Sequence, residues 1–177
     1  MTSPQPPEPW LRGPVPDVPP LLQPVAHALM QAVEDVRRVV APLDADVLWL
    51  RPGGAASAGF HVRHAAGALD RLFTYARGEP LSAEQRAALA RETAPEEQGR
   101  AGAAELVRAF EAQVERAMAQ LRATREDSLA ERREVGRARL PSTVLGLLFH
   151  AAEHTQRHVG QTITTAKIVA GGVRLER

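Results

Sequence analysis

The sequence predicts an all-α fold: a four-helix bundle with one extra short helix and a Pro-rich N-terminal tail. Three observations carry that expectation. Four long segments repeat apolar residues at spacings of three and four, Pro and Gly fall between those segments, and no stretch alternates convincingly as a half-buried strand would. The 177 residues suit a single domain, long enough to bury a core without staples. The expected division is a Pro-rich extension over 1–20, the bundle over 21–172 and a short tail over 173–177.

Residues 1–20 hold too many prolines for a helix and read as an extended or disordered tail, in which Trp10 and Leu11 could anchor on the body. The first helix starts near Leu21 and stops before Pro42, with Leu22, Val25, Leu29, Ala32, Val36 and Val39 facing the core. His27 falls on the other side and reads as a solvated histidine. Leu43 to Ala56 is a connection punctuated by Pro52, Gly53 and Gly54. Ser57 caps the second helix, which runs to about Ala76 and stops at Gly78. Ser82 to Gln85 forms a capping box that opens a short helix fading before Pro95. A long helix follows from about Gln98 to Thr124, its core stripe being Val107, Phe110, Val114, Ala117 and Leu121. Arg125 to Leu140 is dense in charge and reads as a frayed end and a long connection. Ser142 or Thr143 caps the last helix, which extends to about Ala170 and stops at Gly171–Gly172.

Charge and composition narrow the function. The formal charge is +1, from 22 basic and 21 acidic residues, which argues against a general nucleic-acid or anionic-membrane surface. The basic residues are nearly all arginine, with Lys167 the one lysine. There is no cysteine, so disulfides and thiolate ligands are excluded, and a metal site would use His, carboxylate or water. No run of roughly 18 apolar residues offers a transmembrane helix. The first twenty residues lack the basic and apolar regions of a signal peptide, so the expected location is cytoplasmic.

The stretch Phe149–Gln161, FHAAEHTQRHVGQ, places His150, His154 and His158 four residues apart. On a helix these imidazoles form a stripe one turn apart. Buried imidazoles need partners for both ring nitrogens, and a metal is an economical one. One helix face supplies two ligands at i and i+4, so a third comes from elsewhere. The second helix carries the two candidates, His61 and His64, near its start. His64 can meet His154 and His158 across a bundle, and three imidazoles leave a coordination position open, as in catalytic zinc sites. Such a site can lower the pKa of a bound water to about 7. Nitrogen donors suit zinc, nickel, copper or iron, and the donor set does not choose among them; zinc or nickel is taken as the working expectation. A ferritin-like di-iron site needs Glu-x-x-His pairs, yet Glu153 is followed at +3 by Gln156; a zincin needs H-E-x-x-H, which does not occur.

The segments RPGGAASAGFHVRHAAGALDRLFTYARGE, around His64, and LPSTVLGLLFHAAEHTQRHVGQ, around His154 and His158, resemble the DinB-like superfamily, which includes the YfiT-type metal-dependent hydrolases. The resemblance spans the first helix to about Ala170. It implies a divalent metal on His64, His154 and His158, a small-molecule substrate, and a homodimer. Some members are thiol S-transferases, which implies a low-molecular-weight thiol cosubstrate as the alternative to water. Val159 stands where many relatives carry Arg.

Other residues share these faces. His61 and His150 lie one turn from the proposed ligands and read as pocket or neighbouring groups, and Gln161 falls back near the stripe. Arg71 and Tyr75, seven and eleven positions after His64, could bind an anionic substrate group or simply close the bundle end. Glu153 pairs with Arg157 at i,i+4 and is a weaker general-base candidate. The expected function is thus a divalent-metal-dependent hydrolase or S-transferase. The alternative is a non-catalytic, stress-related metal-binding dimer.

Overall fold

The structure, a computed structural model, describes residues 6–92 and 101–171. The helices are α1 (Gln23–Val40), α2 (Ala45–Leu48), α3 (Ala58–Ala76), α4 (Ala83–Glu92), α5 (Ala103–Ala123) and α6 (Val144–Ala170). A hairpin of β1 (Arg132–Val135) and β2 (Leu140–Thr143) precedes α6. The expected end of the short helix toward Pro95, the Gln98 start of the long helix, and Gly172 lie outside the described residues.

The four long helices pack in a ring: α3 on α6, α6 on α1, α1 on α5, and α5 on α3. Successive long helices α1 and α3 are therefore diagonal, while α3 and α6, far apart in sequence, share the most extensive interface. Each long helix buries a stripe set by its 3.6-residue period. Leu22, Val25, Leu29, Ala32 and Val36 of the first stripe are buried, and Val40 rather than Val39 completes it. All five expected core residues of α5 are buried. No described helix is long and apolar enough to cross a membrane.

Local chemistry sets the helix ends. The Ser57 hydroxyl accepts from the Phe60 N–H, and the Thr143 hydroxyl from the Gly146 N–H, so both helices that carry the histidines have side-chain N-caps. Ser82 and Gln85 satisfy each other's backbone N–H reciprocally, as the capping box requires. At Gly78, φ of 79° permits the turn that ends α3.

Three regions differ from expectation, the first being the single helical turn α2 inside the Leu43–Ala56 connection. The Arg125–Leu140 span read as a connection holds β1 and the turn of the hairpin, whose second strand continues to Thr143, antiparallel with Arg132 opposite Thr143 and Val135 opposite Leu140. The strands are only four residues each and none of their residues is buried; β1 is three charged residues and a valine, and β2 carries one apolar residue and a proline, so no hydrophobic period marks them. The N-terminal segment from residue 6 onward lies against α1. Trp10 and Leu11 are exposed and do not anchor it. Instead Pro9 and Val18 are buried, Arg12 pairs with Glu34, and Gln23 bonds the backbone of Val15 and Val18. His27 is half-buried beneath this segment and bonds the Gly13 carbonyl at 3.0 Å, rather than standing in solvent.

Candidate metal centre

Imidazoles from the start of α3 and the middle of α6 converge at the α3–α6 interface. One nitrogen from each of His64, His154 and His158 lies within 4.8 Å of the others. The ring centroids of His158 stand 4.5 Å from His64 and 4.6 Å from His154. His64 Nε2 faces His154 Nε2 at 3.2 Å. Two imidazole nitrogens about 2.1 Å from one tetrahedral ion lie roughly 3.4 Å apart, so the spacing fits a shared ion. All three residues are half-buried, leaving the cluster open on one side.

The backbone of α6 explains the arrangement. Thr155, Val159 and Thr162 are buried and hold the core face, while His154 and His158 flank that face toward α3. Val159 is thus a core residue. Thr155 and Thr162 return their hydroxyls to the carbonyls of Ala151 and His158, so these buried polar groups are satisfied inside the helix. On α3, Phe60 stacks against His64 with centroids 5.6 Å apart and planes 11° from parallel, forming one wall.

His64 is oriented by a residue that sequence reasoning missed. Its Nδ1 lies 2.8 Å from Glu92 Oε2, at the end of α4. An ionised carboxylate only accepts, so Nδ1 carries the proton and Nε2 presents its lone pair to the cluster. Glu92 is also held by Arg71, at 2.6 Å from Nη1 to Oε1 and 3.1 Å from Nη2 to Oε2. Both partners are buried. Burial pushes the Glu92 carboxyl up, but hydrogen bonds from His64 and Arg71, with their charges, outweigh it and hold the group below the usual carboxylate range. Gly67 makes room: a Cβ there would collide with Glu92 Oε1 and lie 2.8 Å from Arg71 Nη1.

The other expected residues divide between this centre and the surface. His61 is buried, and its Nδ1 lies 3.0 Å from His158 Nδ1. Arg71 neither closes the bundle end nor faces solvent, because its guanidinium is turned inward to Glu92. His150 and Glu153 point outward and bond each other at 2.7 Å, with Arg157 completing a surface network. Gln161 is exposed, displaced from the cluster because Thr162, its neighbour, takes the core-facing position. Tyr75 sits three turns along α3 and lines a separate cleft.

His158, His154 and His61 are all pushed toward the neutral form. Burial, then the neighbouring His64, His154, His61 and Arg157, push His158 down to about 4. Burial and then His64 lower both His154 and His61, with His150 and Arg157 adding to the effect at His154. Neutral nitrogens are the form that ligates metal. A histidine depressed in the folded state contributes stability that is present above its unfolded pKa and is lost as pH falls toward the folded value. The metal-free chain is therefore expected to lose thermal stability as pH falls from about 6.5 to about 4. Glu92, depressed as well, adds loss of the same sign at the acid end. Melting curves in chelator test this, and His158→Gln should flatten the profile; an unchanged profile would contradict it.

Comparison with known proteins agrees with the architecture. A family model described as the DinB superfamily matches residues 28–162, about three quarters of the chain. The chain belongs to the DinB superfamily. No curated protein matches the chain. A crystal structure of a conserved protein from Enterococcus faecalis is similar over 85% of this chain and 98% of that one, with a TM-score of 0.65 and 20% identity. At that identity the likeness shows the fold. In this DinB-superfamily chain the three clustered histidines could hold a metal ion.

Proposed function

We propose that this DinB-superfamily chain is a divalent-metal-dependent enzyme acting on a small molecule by hydrolysis or thiol transfer. His64, His154 and His158 would hold the ion. The observation that carries this reading is the pairing of three convergent imidazoles with a buried Arg71–Glu92 support fixing the tautomer of one of them. A divalent ion bound there would supply Lewis acidity, lowering the pKa of water or a thiol. The protein's own groups do the rest. Glu92 keeps the proton on His64 Nδ1, His61 holds the orientation of His158, and Phe60 excludes water from one side of His64. With no cysteine in the chain, a thiol would arrive as a cosubstrate.

The test is a panel of thiols with electrophiles, beside activated esters and amides, assayed with zinc or nickel and with chelator. Turnover restored by metal and abolished by chelator is expected. Chelator-insensitive turnover would defeat the mechanism, and a silent panel on metal-loaded protein would favour the non-catalytic alternative.

A further inference from the structure

The two elements added to the bundle, α4 and the hairpin, enclose a second cleft of about 1250 Å³ beside the end of α3. Tyr75, which reaches this cleft, lies eleven residues beyond His64, about 16 Å along the helix axis at 1.5 Å per residue. The cleft is therefore distinct from the histidine cluster.

Its lining is unusual in two respects. Five arginines stand against two glutamates, a local +3 in a chain whose total is +1. Both glutamates are already paired, Glu79 with Arg77 and Glu134 with Arg139. Arg133 is spent on the Ala76 carbonyl and Glu131. Arg86 donates to the Leu81 carbonyl; Glu84 is a charged neighbour, but no carboxylate lies in ion-pair contact with it among the described residues. Arg132 and Arg137 are exposed, and neither side chain pairs with a carboxylate among the described residues. The second respect is apolar: Tyr75 and Leu81 line the same space, as does Leu89, 39% exposed. Guanidiniums without carboxylate partners beside an apolar surface match a ligand that is charged at one end only.

We propose that this cleft binds an organic anion with a multiply charged head such as a diphosphate, held by Arg86, Arg132 and Arg137, and an aromatic or aliphatic body lying on Tyr75, Leu81 and Leu89. Arginine suits the head because its planar fork meets phosphate or carboxylate oxygens in pairs. The surrounding net charge attracts the anion, and that attraction weakens with added salt.

Calorimetric titration of the full chain with inorganic pyrophosphate and with ADP tests the proposal. Both should bind saturably, ADP the tighter because it adds a ring system to the same head. The double variant Arg132→Gln/Arg137→Gln should weaken both at least tenfold. Leu89→Ser should remove the preference for ADP and leave pyrophosphate unchanged. A charge-matched control on exposed α5 positions, Arg108→Gln/Arg122→Gln, should bind as the parent does. His154→Ala should also bind as the parent does, which separates this cleft from anions drawn to metal at the histidines. The proposal is overturned by a parent chain with no saturable binding, by equal loss in the α5 control, or by loss in His154→Ala with retention in the cleft variant.

Discussion

Replacing His154 by Ala is expected to weaken zinc binding by about a hundred- to a thousandfold. Four-ligand structural zinc sites contribute roughly 10–16 kcal/mol, or about 2.5–4 kcal/mol per ligand. At about 1.4 kcal/mol per tenfold, that gives the stated range. His64→Ala and His158→Ala should fall in the same range, since one nitrogen of each lies in the same 4.8 Å cluster. The surrounding histidines should separate by position. His61 faces His158 at 3.0 Å, so His61→Ala should cost about tenfold, as the loss of an orienting partner does. His150 is bonded outward to Glu153, so His150→Ala should leave affinity nearly unchanged. Competition titration against a chromophoric chelator measures the parent and all five variants on one scale. Parent-like affinity in His154→Ala would remove the proposed ligand set, and a large loss in His150→Ala would place the ion elsewhere on α6.

The convergence tested by that series was legible in the sequence because α3 and α6 carry strong helical signals. Ser57 and Thr143 mark their starts, and apolar spacing fixes which face of each is buried. Once two helices of a bundle each present histidines near one level, a shared site follows from packing. The support behind His64 was not legible. Glu92 ends a helix whose described residues are otherwise exposed or half-buried, so nothing in its pattern announces a face turned to the core. It is one of 21 acidic residues and lies 28 positions from the histidine it holds. Gly67 offered a faint signal, being a glycine inside a helix, where it costs about 1 kcal/mol relative to Ala unless something needs the space. Gln161 shows the opposite failure. It is seven residues after His154, close in helical direction, but the core face of α6 passes through Val159, Thr162 and Ala166 instead. The hairpin was missed because its strands pack through Arg133 on the end of α3 rather than through an apolar alternation.

Glu92→Ala, which replaces none of the three clustered histidines, is expected to damage both the fold and the site. Arg71 and Glu92 are each 8% exposed, and breaking such a pair leaves a buried guanidinium uncompensated. That costs about 3–5 kcal/mol. At roughly 2–4 °C per kcal/mol for a chain of this size, the melting temperature should fall by on the order of 10 °C. The same change frees His64 Nδ1, and loss of such a partner lowers metal affinity about ten- to a hundredfold. The two effects can be separated. In the double variant Arg71→Met/Glu92→Leu the unpaired charge is gone, so most of the stability should return while metal affinity stays low. Gly67→Ala gives an independent route to the same outcome: the added methyl must displace the Arg71–Glu92 pair, so affinity should fall although helix propensity alone would favour Ala. If the double variant recovers both stability and affinity, Glu92 serves the fold and not the ion. If Glu92→Ala loses stability without losing affinity, His64 needs no carboxylate to present its nitrogen.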